Sequence, residues 1–331
     1  MHVLVTGGAG FIGTRLVERL VANGDEVFVL DARHAPATGW DRCVELLGED
    51  RVLLGDVSSA LSVGAAMRRA CPDVVLHLAA QSHVDESIAD PTSTITANAL
   101  GTHVVALACS RRDVPLVYCS TDEVYGDAHG RDVASREHDA LEPSSPYSAS
   151  KASGELLVRA VSRTYGLRFA ITRGTNAFGP GQYAQKLVPI ACRLLTQSHR
   201  VPLHGGGEQI RQWVHVDEFA QCLELAARAL VANDERVVGA ALNIAGPVRC
   251  SVRELVELLA ERVGVPTHEA HETVADRPGG DVEYNVDGSL ARDVLGFEAT
   301  REITDARELD ELLEAYSGGR FVEIANYGGA A

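Results

Sequence analysis

Thr121, Asp122 and Glu123 follow one another in the stretch VYCSTDEVYG, Val117 to Gly126, placing a hydroxyl and two carboxylates where an apolar, strand-like run ends. Two acids in that position are costly to desolvate unless something nearby uses them. A coupled pair can hold one acid ionised while its neighbour stays protonated, which suits paired proton transfers. In a strictly extended strand the two would face opposite sides, so the chain must leave strand geometry near Thr121 for both to reach one ligand. Tyr147 and Lys151 are four residues apart in PYSASKASGELLVRAVSRTYG and therefore share a helix face. An ammonium beside a phenol favours the phenolate and moves the phenol towards the range of a general base. Ser120, directly before the acid stretch, can hydrogen-bond the same substrate hydroxyl.

A second constellation lies at the N-terminus. In VTGGAGFIG, Gly7, Gly10 and Gly13 have the spacing GxxGxxG, with Phe11 and Ile12 between the last two. Glycine is needed where a tight strand-to-helix turn lets a pyrophosphate approach bare N–H groups at the positive end of a helix. Asp31 ends the next strand-like run, about 20 residues on, where a carboxylate can accept from both ribose hydroxyls and repel a 2′-phosphate, so NAD is favoured over NADP. Asp56 and Val57 end the third run, RVLLGDV, where they can meet the adenine.

Positioning these groups requires a particular frame. Short runs rich in Val, Leu and Ile (HVLVTG, EVFVLDA, DVVLHLAA, LVYCS) alternate with stretches of helical spacing (GTRLVERLVANG, NALGTHVVALACSRR). Continuous apolar strands parted by amphipathic helices predict an α/β fold with a doubly wound parallel sheet covered on both faces. Pro146 can start the long helix that carries Tyr147, and Gly166 can end it. Beyond Gly179-Pro180 the rhythm changes to helices parted by short strands and charged, glycine-rich loops such as GGGEQIRQW and DRPGGD. The expected division is a Rossmann-type domain over 1–180 and a smaller mixed region over 181–331, with segments exchanged between them. No repeat or low-complexity segment interrupts this.

The bulk composition excludes several roles. Thirty basic against 46 acidic side chains give a net charge of −16, which argues against nucleic acid or an anionic membrane as partner. Seven scattered cysteines without a CxxC pair read as reduced thiols. MHVLVTGG lacks the basic head and long apolar stretch of a secretion signal, and no later window reaches membrane-spanning length, so a soluble cytoplasmic protein is expected. No metal site is assigned.

Together TGGAGFIG, Asp31, Ser120 and YSASK resemble the extended short-chain dehydrogenase/reductase family. The resemblance implies NAD in the N-terminal sheet and a nucleotide-sugar in the C-terminal lobe. It implies that Tyr147 takes the proton from a sugar C4 hydroxyl and that Lys151 holds both the tyrosine and the nicotinamide ribose. Within the family, STDEVYG is similar to the signature of the dTDP-glucose 4,6-dehydratases. That similarity gives Asp122 the role of general acid at C6, Glu123 that of general base at C5, and Thr121 a hydrogen bond to the C4 oxygen.

Further stretches resemble the dehydratases' loops in order: AAQSHVDESI, TRGTNAFGPGQYAQKLVP, GGGEQIRQWVHVDE, LNIAG and DRPGGDVEYNVD. They place Ala79 and Ala80 at the cofactor. They place Ser82, His83, Asn176, Lys186, Leu187, Arg211, Asn243 and Asp276 around the nucleotide-sugar, with Arg211 as the fork for the diphosphate. The chain departs from the dehydratases in ARHAPATGW after Asp31, at Gln81, at Ala177, at Gly280 where His is usual, and in its C-terminus. These departures surround the nucleotide, so dTDP is the favoured base and UDP, GDP and CDP stay open. A UDP-glucuronate decarboxylase and a 4-epimerase are the alternatives within the family. A silent NAD-binding scaffold is the alternative of another class, but one free to lose Tyr147, Lys151 or Glu123, all of which are present. A homodimer through the helices of NALGTHVVALACSRR and PYSASKASGELLVRAVSRTYG is implied by resemblance.

Overall fold

Strand β1 (His2–Thr6) is buried at every residue after the first, and strands β2 (Glu26–Asp31), β3 (Val52–Leu54), β4 (Val74–His77), β5 (Leu116–Thr121) and β6 (Phe169–Gly174) follow it in chain order. The computed structural model describes residues 1–33, 39–276 and 280–318. The remaining strands are β7 (Asn176–Phe178), β8 (Val201–His204), β9 (Ile210–His215), β10 (Ala241–Ile244), β11 (Val248–Ser251) and β12 (His271–Val274). Seven strands form one parallel sheet in the order β10-β6-β5-β4-β1-β2-β3. Apolar cores cover both of its faces, as a parallel sheet requires. The winding direction reverses between β1 and β4, and the carboxyl ends of strands at such a reversal form a ligand crevice. The glycine loop, the segment after β4 and the acid stretch after β5 all lie at those ends.

The expected α/β class is what the structure shows, and the C-terminal half contributes to the sheet directly. Strand β10 pairs with β6 in parallel, with Ala241 opposite Ile171 and Ile244 opposite Gly174. The helix Val216–Val231 packs on the first helix, Phe11–Ala22, through Arg15 to Asp217 at 2.7 Å and the ion pair of Arg19 with Glu224. A separate core joins the helices Leu187–Thr196, Val252–Val263 and Ala306–Tyr316 to a three-stranded sheet, β11-β9-β7, and a two-stranded one, β12-β8. Among the described residues no helix is long and apolar enough to cross a membrane. All seven cysteines are free, six of them buried.

Local signals act where the residue types demand. Pro146 opens the helix Pro146–Tyr165 behind a reciprocal cap between Ser145 and Ser148, and Gly166 ends it at φ 75°. The stretch containing NALGTHVV departs from the simple helix its spacing predicts. Thr96–Leu100 widens into a π-helical turn before the α-helix Gly101–Ser110 begins. The widened turn presents Asn98, whose side chain accepts from the Gln81 N–H (2.8 Å) and donates to the Gln81 carbonyl (2.9 Å) and the Ser150 hydroxyl (2.8 Å). It thereby ties the segment after β4 to the Tyr147 helix, a use for which such bulges are suited.

Candidate active site

β5 stays in strand geometry only to Thr121, and Asp122–Tyr125 coil into a 3₁₀ turn. The departure that the adjacent acids require is therefore built at that residue. Thr121 caps the turn, its hydroxyl accepting from the Glu123 N–H (3.3 Å) and donating to Asp122 Oδ1 (3.2 Å). The far end is fixed by Tyr125, which donates to Asn243 Oδ1 (2.8 Å) and accepts from Arg173 (2.6 Å). Arg173 in turn grips Glu155 with two bonds, 3.0 and 2.7 Å, and both side chains are buried. Gly126 leaves the turn at φ +73°, where an added Cβ would lie 2.2 Å from the Glu142 carbonyl.

Asp122 is buried and its Oδ2 has no hydrogen-bond partner. Burial, and then the neighbouring Glu123 charge, push its pKa up to about 7. The Ser120 hydroxyl is likewise buried without a partner, leaving two polar atoms reserved at the end of one strand. An unmade bond at a buried polar atom costs about 1–3 kcal/mol, so such atoms point to a ligand.

Tyr147 is nine-tenths buried on the first turn of its helix. Burial, followed by the charges of Glu123 and Asp122 among its causes, holds its phenol well above the ordinary range. Lys151 shares its helix face but donates to the Cys119 carbonyl at 2.6 Å, and burial lowers its pKa to about 8. The expectation that Lys151 by itself draws the phenol down is therefore corrected. The carboxylates and the low polarity of the site outweigh the ammonium.

The glycine cradle fits a dinucleotide. Gly7 lies at φ +72°, and a Cβ there would sit 2.6 Å from the Ala79 nitrogen, while one on Gly13 would sit 2.2 Å from the Gly7 carbonyl. No side chain caps the first helix at Gly10, so the N–H groups of Phe11, Ile12 and Gly13 open the positive end of the helix dipole towards the crevice. Asp31 braces this loop, Oδ2 accepting from the Ala9 N–H (3.0 Å) and Oδ1 from the Arg33 N–H (2.8 Å). Asp56 closes the turn after β3 on the Ser58 N–H (2.8 Å), Val57 is buried beneath it, and Ala79 and Ala80 continue from β4.

Around the opposite wall, Lys186 donates to the Ser82 carbonyl (3.0 Å), His83 meets the edge of Tyr183 (6.3 Å between ring centres), and Leu187 begins the next helix. Asn176 pairs with Trp213 in the small sheet, and Asp276 lies beside Gly205 and Gln209 at the β8–β12 end. Arg211 rests on the ring of Tyr284 at 4.5 Å and donates to the carbonyls of Ile210 (2.9 Å), Val282 (3.2 Å) and Asp281 (2.9 Å). Its charge reaches Asp122, and that of Glu123 reaches Tyr284, so the two walls face each other.

One residue expected to line the sugar site does not. Asn243 is fully buried, accepting from Tyr125 and donating to the carbonyls of Ser135 (3.2 Å) and Asp287 (3.0 Å), so it supports the acid turn from beneath. Three residues were missed in the sequence. Asp281 accepts from Ser144 (2.5 Å) and Tyr284 (2.7 Å), joining the start of the Tyr147 helix to the Arg211 wall. The only sequence signal was the placement of Asp281 and Tyr284 in DRPGGDVEYNVD. Most of ARHAPATGW, part of DRPGGD and the C-terminal residues 319–331 lie outside the described residues.

Residues 3–245 match the model of the NAD dependent epimerase/dehydratase family. The chain belongs to this family. It is 39% identical over 325 residues to a dTDP-glucose 4,6-dehydratase of Streptomyces antibioticus, covering 94% of this chain and 92% of that one. It is also 36% identical over 312 residues to the low-salt glycan biosynthesis protein Agl12 of Haloferax volcanii, covering 93% and 96%. Among solved structures, DesIV, a dTDP-glucose 4,6-dehydratase of Streptomyces venezuelae with NAD bound, superposes with a TM-score of 0.85 at 34% identity, over 96% of this chain and 97% of that one. A UDP-glucose 4-epimerase of Thermus thermophilus in complex with NAD gives 0.84 at 28% identity, over 97% and 100%. Members of the NAD dependent epimerase/dehydratase family use NAD, and the cradle around Gly7 and Gly13 is the place in this member that fits it.

Proposed function

We propose that this chain is an NAD-retaining nucleotide-hexose 4,6-dehydratase, a hydro-lyase that converts an NDP-glucose, dTDP-glucose by preference, to the NDP-4-keto-6-deoxy sugar. The observation that carries the reading is Asp122, buried beside Glu123 with a free oxygen and a pKa raised to about 7, in the same cleft as Tyr147. An epimerase has no use for a protonated acid there, whereas loss of water from C5 and C6 needs a base and an acid side by side.

The chain's residues divide the proton work. Tyr147, with Ser120 and Thr121 hydrogen-bonding the C4 oxygen, takes the proton of the C4 hydroxyl. The chemistry that NAD supplies when bound is hydride acceptance from C4, hydride return to C6, and a positive charge that favours the Tyr147 phenolate. Once C4 is a ketone, Glu123 removes the acidified C5 proton. Asp122 protonates the C6 hydroxyl, which leaves as water. Glu123 returns a proton to C5, and the Tyr147 proton replaces the one Asp122 spent. The sum is sugar minus water.

Gly7, Gly10, Gly13, Asp31 and the Ala79–Ala80 segment form the NAD side of the cleft in this reading. Ser82, His83, Asn176, Lys186, Leu187, Arg211 and Asp276 form the nucleotide-sugar side. The NAD half comprises 1–180 and borrows β10 and the helices Val216–Val231 and Ser289–Leu295, and residues 181–331 otherwise form the sugar half. A homodimer is supported by Ile95 and Leu100, on the two turns of helix that lead into Gly101–Ser110, and by Leu156 on Pro146–Tyr165, all of which stay exposed. The net charge of −16 and the free cysteines suit a cytoplasmic enzyme.

The purified protein is to be incubated separately with dTDP-, UDP-, GDP- and CDP-hexoses and its products examined by mass and by absorbance in base. A 4-keto-6-deoxy product, lighter by one water and with no net NADH, supports the reading. Inversion at C4 with C6 intact, or carbon dioxide from a uronate, replaces it.

A further inference from the structure

The Lys151 ammonium does not rest on polar groups alone. Its Nζ lies 4.5 Å from the centre of the Tyr118 ring, over the ring face, while donating to the Cys119 carbonyl. Both side chains are buried. One carbonyl satisfies one of three ammonium donors, and the negative face of an aromatic ring is the remaining attraction the site offers in place of water.

Tyr118 is held for this task from three sides. Its hydroxyl donates to the Lys151 carbonyl at 3.2 Å. Gly154 leaves room for that hydroxyl, since a Cβ there would lie 2.3 Å from it. The His77 ring also stacks on Tyr118, at 5.7 Å and 30°, and is joined to Thr6 (2.6 Å) and Thr102 (3.0 Å). Burial, and then the Lys151 charge, push His77 down to about 3, so the neighbouring imidazole brings no second charge to the ring.

We propose that Tyr118 is a positioning residue that keeps Lys151 charged and aimed along the Tyr147 side of the cleft. The proposal rests on the dehydratase reading above and on the role that the family resemblance gives Lys151 in it, holding Tyr147 and the nicotinamide ribose. The other groups facing Lys151 are Cys119 on β5, Glu155 on its own helix and His77 on β4. Glu155 is already neutralised by Arg173, and burial raises the Cys119 thiol, so neither supplants the ring.

The chain contains two lysines, Lys151 and Lys186, so protein labelled with carbon-13 at lysine Cε gives two side-chain signals, and Lys186→Arg assigns them. The holoenzyme is titrated without sugar. Tyr118→Phe should titrate with the wild type, whereas Tyr118→Leu should lower the Lys151 midpoint by about one pH unit. Phenylalanines of increasing ring fluorination at position 118 keep the volume while draining the ring face, and should lower the midpoint stepwise. An unmoved Lys151 titration in Tyr118→Leu overturns the proposal. A flat fluorinated series does so too, and decides alone if Tyr118→Leu does not fold. Because no sugar is present, either failure leaves the dehydratase reading standing, while an intact series in a protein without dehydratase activity would remove that reading instead.

Discussion

On the wall formed by β5, the 3₁₀ turn and the Tyr147 helix, polar atoms are withheld from the rest of the protein: Ser120 Oγ and Asp122 Oδ2 are buried with nothing to bond. On the wall formed by β9 and residues 280–287 the reverse holds, since Arg211 already donates to three backbone carbonyls and lies on Tyr284. The first wall carries its cost in the folded state and needs no rearrangement when a sugar arrives, which is the arrangement that stabilises developing charge. The second must exchange its own contacts for those of a ligand. Substitutions on the first wall should therefore act on kcat or on stability, and those on the second on KM.

The largest effect is expected from Glu123→Gln. Loss of the C5 base should cut turnover about 10³–10⁴-fold while bound NAD is still reduced by the sugar, seen as stable absorbance near that of NADH. Full turnover would remove Glu123 from the mechanism. Next is Arg173→Met, which strands the buried Glu155 charge and frees the end of the acid turn. Chemical denaturation should show a loss of about 3–5 kcal/mol.

Asp122→Asn sharpens the comparison by reversing the sign. The folded pKa of about 7 lies above the ordinary 3.8, so the stability linked to that proton is full below about pH 4 and lost as pH rises through 7. The variant should match the wild type near pH 4 in thermal melts and exceed it by roughly 2–4 kcal/mol at pH 8, while losing activity. The same titration predicts that wild-type turnover falls above about pH 7 as the acid at C6 is lost. The smallest effect belongs to Arg211→Lys. Replacing the fork by a point charge should raise KM about tenfold and leave kcat within a factor of two. A fall in kcat with KM unchanged would place Arg211 with the chemistry and collapse the distinction between the walls.

How much of this was legible in the sequence follows from the range of each interaction. The glycine spacing, the cap at Ser145 and Pro146, the Tyr147–Lys151 interval and the break at Thr121 are local, and residue type decides them. The supports of the acid turn are not local. Tyr125 meets Asn243 118 positions away, and Ser144 meets Asp281 137 positions away. Periodicity assigns each of these residues to a face of its own element without saying what lies across the gap. Asn243 was misplaced for that reason, as an amide in a motif reads the same whether it points at a ligand or at a carbonyl beneath it. Lys151 was placed correctly on its helix, but its resting partner is set by the depth of Tyr118 in the sheet, which no spacing reports.

The central claim is that one hydride leaves C4 and returns to C6 of the same sugar while the C5 proton passes through Glu123. The most direct test is turnover of NDP-[4-²H]glucose in ordinary water and of unlabelled substrate in D₂O, with the products read by NMR. The account predicts deuterium at C6 in the first product and at C5 in the second. Deuterium retained at C4, with C5 unlabelled from D₂O, would contradict it.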